Sequence, residues 1–165
     1  MNLTSERSTY FMGFIAIIAM IGLTFYLEKY DGLIPCPLCL LQRISFTLLG
    51  IFFLLGVLIS QKKIYRLFVG LMSALMALSG LFLSGRQVWL QHLPPDTNAD
   101  CGVSLQYLMN ALPFDQVMAK IMQGTAECSQ KGWEFLHLSL AEWSFICFGF
   151  FLLLCLLQIK RALNN

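Results

Sequence analysis

Charge is scarce in this chain of 165 residues: Asp, Glu, Lys and Arg make up 12% of it, against 58% hydrophobic residues. An ordinary soluble domain carries about twice that charged share, so the composition argues against a domain folded in water. The net charge is only +2, and no basic cluster with interleaved aromatics occurs, which argues against a nucleic-acid partner. Histidine is scarce as well. Neither His92 nor His137 stands in a CxxCH or HxxxH setting, so haem and zinc are weak readings. A four-cysteine zinc site usually shows two tight pairs, and this chain has one. Internal repeats and low-complexity runs are missing too. The first apolar run has no small-x-small cleavage site before Glu28-Lys29 and exceeds the roughly 7 to 15 residues of a signal-peptide core. It reads as a retained helix.

Long apolar runs are what the chain has instead, with a mean hydropathy of +0.70. Four of them, at about residues 10–27, 42–59, 67–84 and 144–159, are each able to cross a bilayer once. At about 1.5 Å per residue, roughly 16 to 20 residues cover about 24 to 30 Å, the thickness of the hydrocarbon core. Tyr10 and Tyr26 flank the first run as an aromatic belt would, and Trp143 marks the start of the last. The third is rich in small residues at Gly70, Ser73, Ala74, Ala77 and Gly80, which let helix backbones approach closely in lipid. The expected fold is all-α: one polytopic membrane domain over residues 1–165, a four-transmembrane-helix bundle with loops at about 28–41 and 85–143.

Basic residues orient the bundle. Arg7, Lys62, Lys63, Arg66, Lys160 and Arg161, six of the eleven Lys and Arg, crowd into short segments on one side. Lys29, Arg43, Arg86, Lys120 and Lys131 are spread over two longer segments on the other side, with every acid except Glu6. The positive-inside rule then places both termini in the cytoplasm and the long loop outside. Trp89, Trp133 and Trp143 fit the headgroup belt on that outer side.

Within the long loop, Pro94-Pro95-Asp96 breaks helical structure, and residues 98–102 read as loop. From Leu112 to Met122 apolar residues recur at helical spacing, up to a stop near Gly124. Such a helix either lies flat on the membrane or packs its apolar face on the rest of the loop. Arg86 and Gln87, at the outer end of the third run, either line a polar pocket or, for the arginine, snorkel to the interface.

The six cysteines fall into two kinds. Cys147 and Cys155 lie inside the fourth run, where a free cysteine behaves as a small hydrophobe. Cys36, Cys39, Cys101 and Cys128 lie at or outside the membrane edge; in a bacterium that is the oxidising periplasm, where disulfides persist. Cys36 and Cys39 form the tight pair, in Pro35-Cys36-Pro37-Leu38-Cys39, with Arg43 four residues on. A helix beginning here has Pro37 in its first turn, where a missing N–H costs nothing. Cys39 then sits among unpaired N–H groups at the positive end of the helix dipole, which favours a thiolate, and Arg43 reaches back along the same face. A thiolate is the nucleophile and leaving group of disulfide chemistry. For Cys101 and Cys128, spacing leaves open an inert loop-tying disulfide or one that exchanges.

Four apolar helices, CxxC with an arginine four residues on, and a cysteine pair in the second outer loop together resemble the disulfide bond formation protein B (DsbB) family. Gln87-Val88-Trp89-Leu90-Gln91 before Pro94, and Trp133-Glu134-Phe135-Leu136 before Trp143, extend the likeness over nearly the whole chain. The resemblance implies a bacterial inner-membrane thiol:quinone oxidoreductase that reoxidises a DsbA-like periplasmic thioredoxin-fold partner. Its electrons would go to ubiquinone or menaquinone drawn from the membrane lipid. It further implies that the partner attacks a Cys101-Cys128 disulfide at Cys101 and that the freed Cys128 attacks Cys36. Cys39 would remain as the thiolate that gives up electrons, with Arg43 stabilising that sulfur or its acceptor.

The chain departs from the family pattern at two points. Pro37 stiffens the CxxC turn. Some relatives carry a histidine near the end of the third helix where this chain reads Arg86-Gln87, with His92 only later, so a quinone contact from that helix is not carried over from the family. Two other readings stand beside it: a quinone-linked thiol exchanger of the vitamin K epoxide reductase type, which would use the same parts, and a non-enzymatic membrane scaffold with structural disulfides.

Overall fold

The computed structural model describes residues 3–30, 36–59, 63–93, 113–123 and 134–164. Four long helices dominate it: α1 (Leu3–Tyr30), α2 (Pro37–Ile59), α3 (Lys63–His92) and, last in the chain, α5 (Leu140–Asn164). Between α3 and α5 come a short helix α4 (Phe114–Gln123) and a hairpin of β1 (Glu134–Phe135) and β2 (Leu138–Ser139). The four long helices are each long and apolar enough to cross a membrane, and the chain is an all-α, multi-pass membrane protein.

Every spanning helix runs beyond the apolar run that predicts it. Glu28–Tyr30 and residues 37–41, expected in the first loop, are the end of α1 and the start of α2. Residues 85–92, expected in the long loop, finish α3, and residues 140–143 begin α5. Hydropathy marks where lipid stops, whereas a helix continues until its own backbone ladder is interrupted. At 23 to 30 residues and about 1.5 Å per residue, the helices are about 35 to 45 Å long and project into the headgroup regions.

The bundle closes around one apolar seam. On α3, Gly70, Ser73, Ala77, Gly80, Ser84 and Gln87 are all buried, a spacing of three and four that keeps one face toward the neighbours. The absence of a side chain at Gly80 matters most, because a Cβ there would clash with the Phe148 ring of α5. That ring is fully buried and stacks on Phe46 of α2, with centroids 3.8 Å apart. Phe53 of α2 meets Phe151 of α5 edge-on at 5.8 Å and Tyr10 of α1 at 5.5 Å. Offset and edge-on ring contacts of this kind join helices where lipid supplies no hydrophobic drive between them. The opposite faces carry exposed large residues such as Met12, Phe25, Leu58, Phe82 and Phe150, the surface a bilayer solvates.

The hairpin and its junction with α5 are tied locally. Glu134 pairs with Ser139 and Phe135 with Leu138, across a two-residue turn in which Leu136 and His137 both take positive φ, 54° and 64°. Such turns match the twist of the strands but favour Asn and Gly, so Leu136 and His137 are held there at a cost in backbone energy. Ser139 and Glu142 form a capping box on α5. The Ser139 N–H donates to Glu142 Oε2 at 2.6 Å, and the Glu142 N–H donates to Ser139 Oγ at 3.3 Å. The Ser139 hydroxyl also donates to Gln91 Oε1 at 2.8 Å, and Trp143 Nε1 donates to the Phe135 carbonyl at 3.1 Å. The start of α5 is thus fastened to the end of α3.

Of the two readings open for the amphipathic segment near 112–122, neither is fully what the fold shows. Val117 and Ile121 of α4 are buried, but against Cys36 and Leu38 of the α2 start and Leu90 of α3. The apolar face of α4 covers the cysteine end of the bundle.

Candidate functional site

Cys36 is the residue before the first turn of α2, and its carbonyl accepts the Leu40 N–H at 3.1 Å. Its sulfur accepts the backbone N–H of Cys39 at 3.4 Å, as a serine or threonine oxygen does at a helix start. Pro37 is therefore the first helical residue, where its ring pre-sets φ and its missing N–H is not needed. This accounts for the proline in the middle of the motif: it fixes the turn that brings the two sulfurs together. The Cys36 thiol donates to Cys39 Sγ at 2.9 Å. Cys36 is only 3% exposed, beneath Val117 and Ile121, and Cys39 is half-buried.

One side chain from another helix reaches both sulfurs. Gln87, buried on the seam of α3, places Nε2 3.1 Å from Cys39 Sγ and 3.6 Å from Cys36 Sγ. Its Oε1 lies 3.5 Å from Cys39 Sγ and accepts a 2.7 Å hydrogen bond from Nε2 of the buried Gln42, on α2. Neither role is visible in local sequence. Continuing the small-residue spacing of α3 from Gly80 by four and three residues would have reached Ser84 and Gln87 and placed the amide on the buried face.

Arg43 lies one turn beyond Cys39 and points toward α1. Its Nη1 is 2.6 Å from Glu28 Oε2, its Nη2 is 3.5 Å from the Thr24 carbonyl, and its guanidinium carbon lies 4.9 Å from the centre of the Phe25 ring. Sequence reasoning missed Glu28 as the partner, because only the packing of α1 on α2 brings the two together. Arg43 also borders a cavity of about 250 Å³ between α1, α2 and α5, whose apolar wall includes Met20, Ile21, Phe46 and Trp143. Cys39 does not line this cavity. Cys147 does, while Cys155 is buried in the aromatic core beside Phe148 and Phe151. At the α3–α5 junction, His92 Nε2 lies 3.9 Å from Glu142 Oε1, and its Nδ1 lies 2.9 Å from the Val88 carbonyl oxygen.

The arrangement is thus a dithiol at a helix N-terminus, touched by one buried amide, with a paired arginine between it and an apolar cavity. It can hold a thiolate, exchange disulfides and face an apolar acceptor. Cys101 and Cys128, the other two cysteines expected in the site, lie outside the described residues.

A family model described as disulfide bond formation protein DsbB matches residues 6–158. "Disulfide bond formation protein B 1" of Pseudomonas aeruginosa strain PAO1 is 39% identical over 165 residues, spanning 98% of this chain and 99% of the relative. "Disulfide bond formation protein B" of Stutzerimonas stutzeri is 36% identical over 161 residues, with 98% and 99% covered. The protein of the same description from Hahella chejuensis is 39% identical over 144 residues, 87% of each chain.

Proposed function

Because the chain belongs to the DsbB family of membrane disulfide bond formation proteins, we propose that it reoxidises a periplasmic dithiol protein of the DsbA kind and passes the electrons to membrane quinone. The observation that carries this reading is the Cys36-Cys39 dithiol one helical turn from an arginine that borders an apolar cavity.

In the proposed relay a partner thiolate attacks the Cys101-Cys128 disulfide at Cys101, forming a mixed disulfide and freeing Cys128. The partner's second thiolate then displaces Cys101 and closes the partner disulfide. Cys128 attacks Cys36 in a Cys36-Cys39 disulfide, which releases Cys39 as a thiolate. Cys101 next displaces Cys36 from Cys128, which restores the loop disulfide and leaves both thiols of the CxxC pair reduced. Loss of two electrons and two protons from that pair closes the Cys36-Cys39 disulfide again. In sum, one partner dithiol becomes a disulfide, and two electrons and two protons leave through Cys36 and Cys39. The helix N-terminus holds the charge on sulfur at each stage that needs a thiolate.

The residues present fit a quinone. The cavity, apolar and slightly below the about 300 to 1,000 Å³ of common ligand pockets, suits a ring headgroup with its chain left in lipid. Ubiquinone or menaquinone bound there supplies a two-electron, two-proton acceptor. Arg43 retains donors beyond those given to Glu28 and Thr24, so it can bind a ring oxygen. This reading places the protein in the bacterial inner membrane with the cysteine end of the bundle in the periplasm. That orientation agrees with the dense basic residues near the opposite end.

The test mixes purified protein, ubiquinone-1 and a reduced DsbA-like partner and follows quinone absorbance. The reading expects absorbance to fall only when protein and partner are both present. A flat trace with all three components would refute it.

A further inference from the structure

The Gln87 amide meets the CxxC pair in a way the thiol relay does not require. It comes from a different helix, lies buried, and is the only described side chain whose hydrogen bonds reach both sulfurs. Its two ends also face Cys39 differently. A Cys39 thiol can donate to Oε1 at 3.5 Å, and a Cys39 thiolate can accept from Nε2 at 3.1 Å. The closer contact serves the charged form.

An amide in isolation could turn either end toward the sulfur, and here Gln42 engages the oxygen end. By donating Nε2–H to Gln87 Oε1 at 2.7 Å, it holds that oxygen and leaves the Gln87 NH₂ aimed at the cysteines. Both glutamines are 5% exposed, and the apolar side chains of Leu38, Leu90, Val117 and Ile121 pack beside the pair. In such a low-dielectric setting an oriented N–H is worth more to a nearby charge than it is in water.

We propose that Gln87 is a catalytic residue that holds the Cys39 sulfur as a thiolate, and that Gln42 is the positioning residue that orients it. This rests on the reading of Cys39 as the sulfur that gives up electrons. Arg43, engaged with Glu28 and the cavity, is left to serve the acceptor. Stabilising the sulfur and binding the acceptor are then divided between α3 and α2.

The test reads the sulfur without any quinone turnover, so its failure is distinct from failure of the quinone reading. Reduced full-length protein is treated with iodoacetamide across a pH series, and alkylation at Cys39 is followed by peptide mass mapping. Cys36 touches Cys39, and Arg43 pairs with Glu28; all four groups are kept in every variant, so differences report the amide. Gln87→Met keeps length and removes the donor. It should slow Cys39 alkylation about tenfold at neutral pH, the scale of one hydrogen bond to a charged group. The rate at strongly alkaline pH, where the thiolate forms unaided, should not fall, since a thiolate without the donor is the stronger nucleophile. Gln42→Met should give a smaller loss of the same kind. In turnover, Gln87→Met should lower kcat and leave the quinone KM unchanged.

A purely structural role would change the alkaline rate through accessibility and leave the shape of the pH profile alone; that outcome overturns the proposal. If Gln87→Met does not yield folded protein, Gln87→Asn decides, since it keeps a buried amide but draws the NH₂ back by one methylene. A neutral-pH rate equal to that of the unaltered protein in Gln87→Asn also overturns it.

Discussion

Arg43→Ala separates the acceptor side of the site from the thiol side. The guanidinium makes three contacts, with Glu28 at 2.6 Å, the Thr24 carbonyl at 3.5 Å and the face of Phe25 at 4.9 Å, and its side chain is 18% exposed. Glu28 is 34% exposed, so water can solvate its carboxylate when the arginine is gone. The structural loss from that pair should be no more than about 1 kcal/mol. The functional loss is larger. A hydrogen bond from a charged donor to a ring oxygen contributes about 1.5 to 3 kcal/mol. At about 1.4 kcal/mol per decade that is about a 10- to 150-fold rise in the quinone KM. Because the bond is made in the bound ground state as well, kcat should change little.

The assay is initial rate against ubiquinone-1 concentration with saturating reduced partner, beside a measurement of disulfide exchange between partner and protein in the absence of quinone. Arg43→Ala should raise KM and leave the exchange rate intact. Glu28→Gln serves as the control for the ion pair alone: it should lower thermal stability slightly and move KM by less than about threefold, within the energy of an exposed pair. An unchanged KM in Arg43→Ala, or equal KM changes in both variants, would refute the assignment of Arg43 to the acceptor.

Three further outcomes follow from the same structure. Cys101→Ala should abolish partner-driven quinone reduction while dithiothreitol-reduced Cys36 and Cys39 are still reoxidised by quinone; loss of both would contradict the proposed order. Gly80→Ala should destabilise the bundle by about 1 to 3 kcal/mol, because the new Cβ clashes with the buried Phe148 ring. Gly22→Ala, with nothing within 4 Å of the new carbon, should leave the thermal loss of helical circular dichroism in place, and equal midpoints for the two would refute the seam. Ile121→Asn puts a polar group on the buried face of α4 and should loosen that helix from the motif. The readout is a severalfold faster alkylation of Cys36, and an unchanged rate would show that α4 does not cover it.

How much of this was legible in the chain differs from residue to residue. The motif was. Pro37 and Cys39 are placed by their distance from a helix start, and a helix start is a local event, so the cap formed by the Cys36 sulfur follows from residues within one turn. The four spans were legible for the same kind of reason. Their true ends were not, since α3 runs on through Gly85 to His92, beyond where hydropathy falls. The Ser139-Glu142 cap is a local feature as well, a serine followed three residues later by a glutamate at the start of the last span.

The sequence by itself determined the membrane class, the four helices, the dithiol and its place at a helix N-terminus. In lipid a backbone must satisfy its own hydrogen bonds, so long apolar runs have one structural outcome, and contacts within three or four residues follow from helix geometry. Only the tertiary structure decided what surrounds the dithiol. Gln87 lies 48 residues from Cys39, Gln42 lies 45 from Gln87, and Glu28 lies 15 from Arg43. Those meetings depend on which faces of α1, α2 and α3 are turned together and at what height. That register is set by the sum of many small packing choices along the seam, Gly80 under Phe148 among them, and no local pattern encodes it.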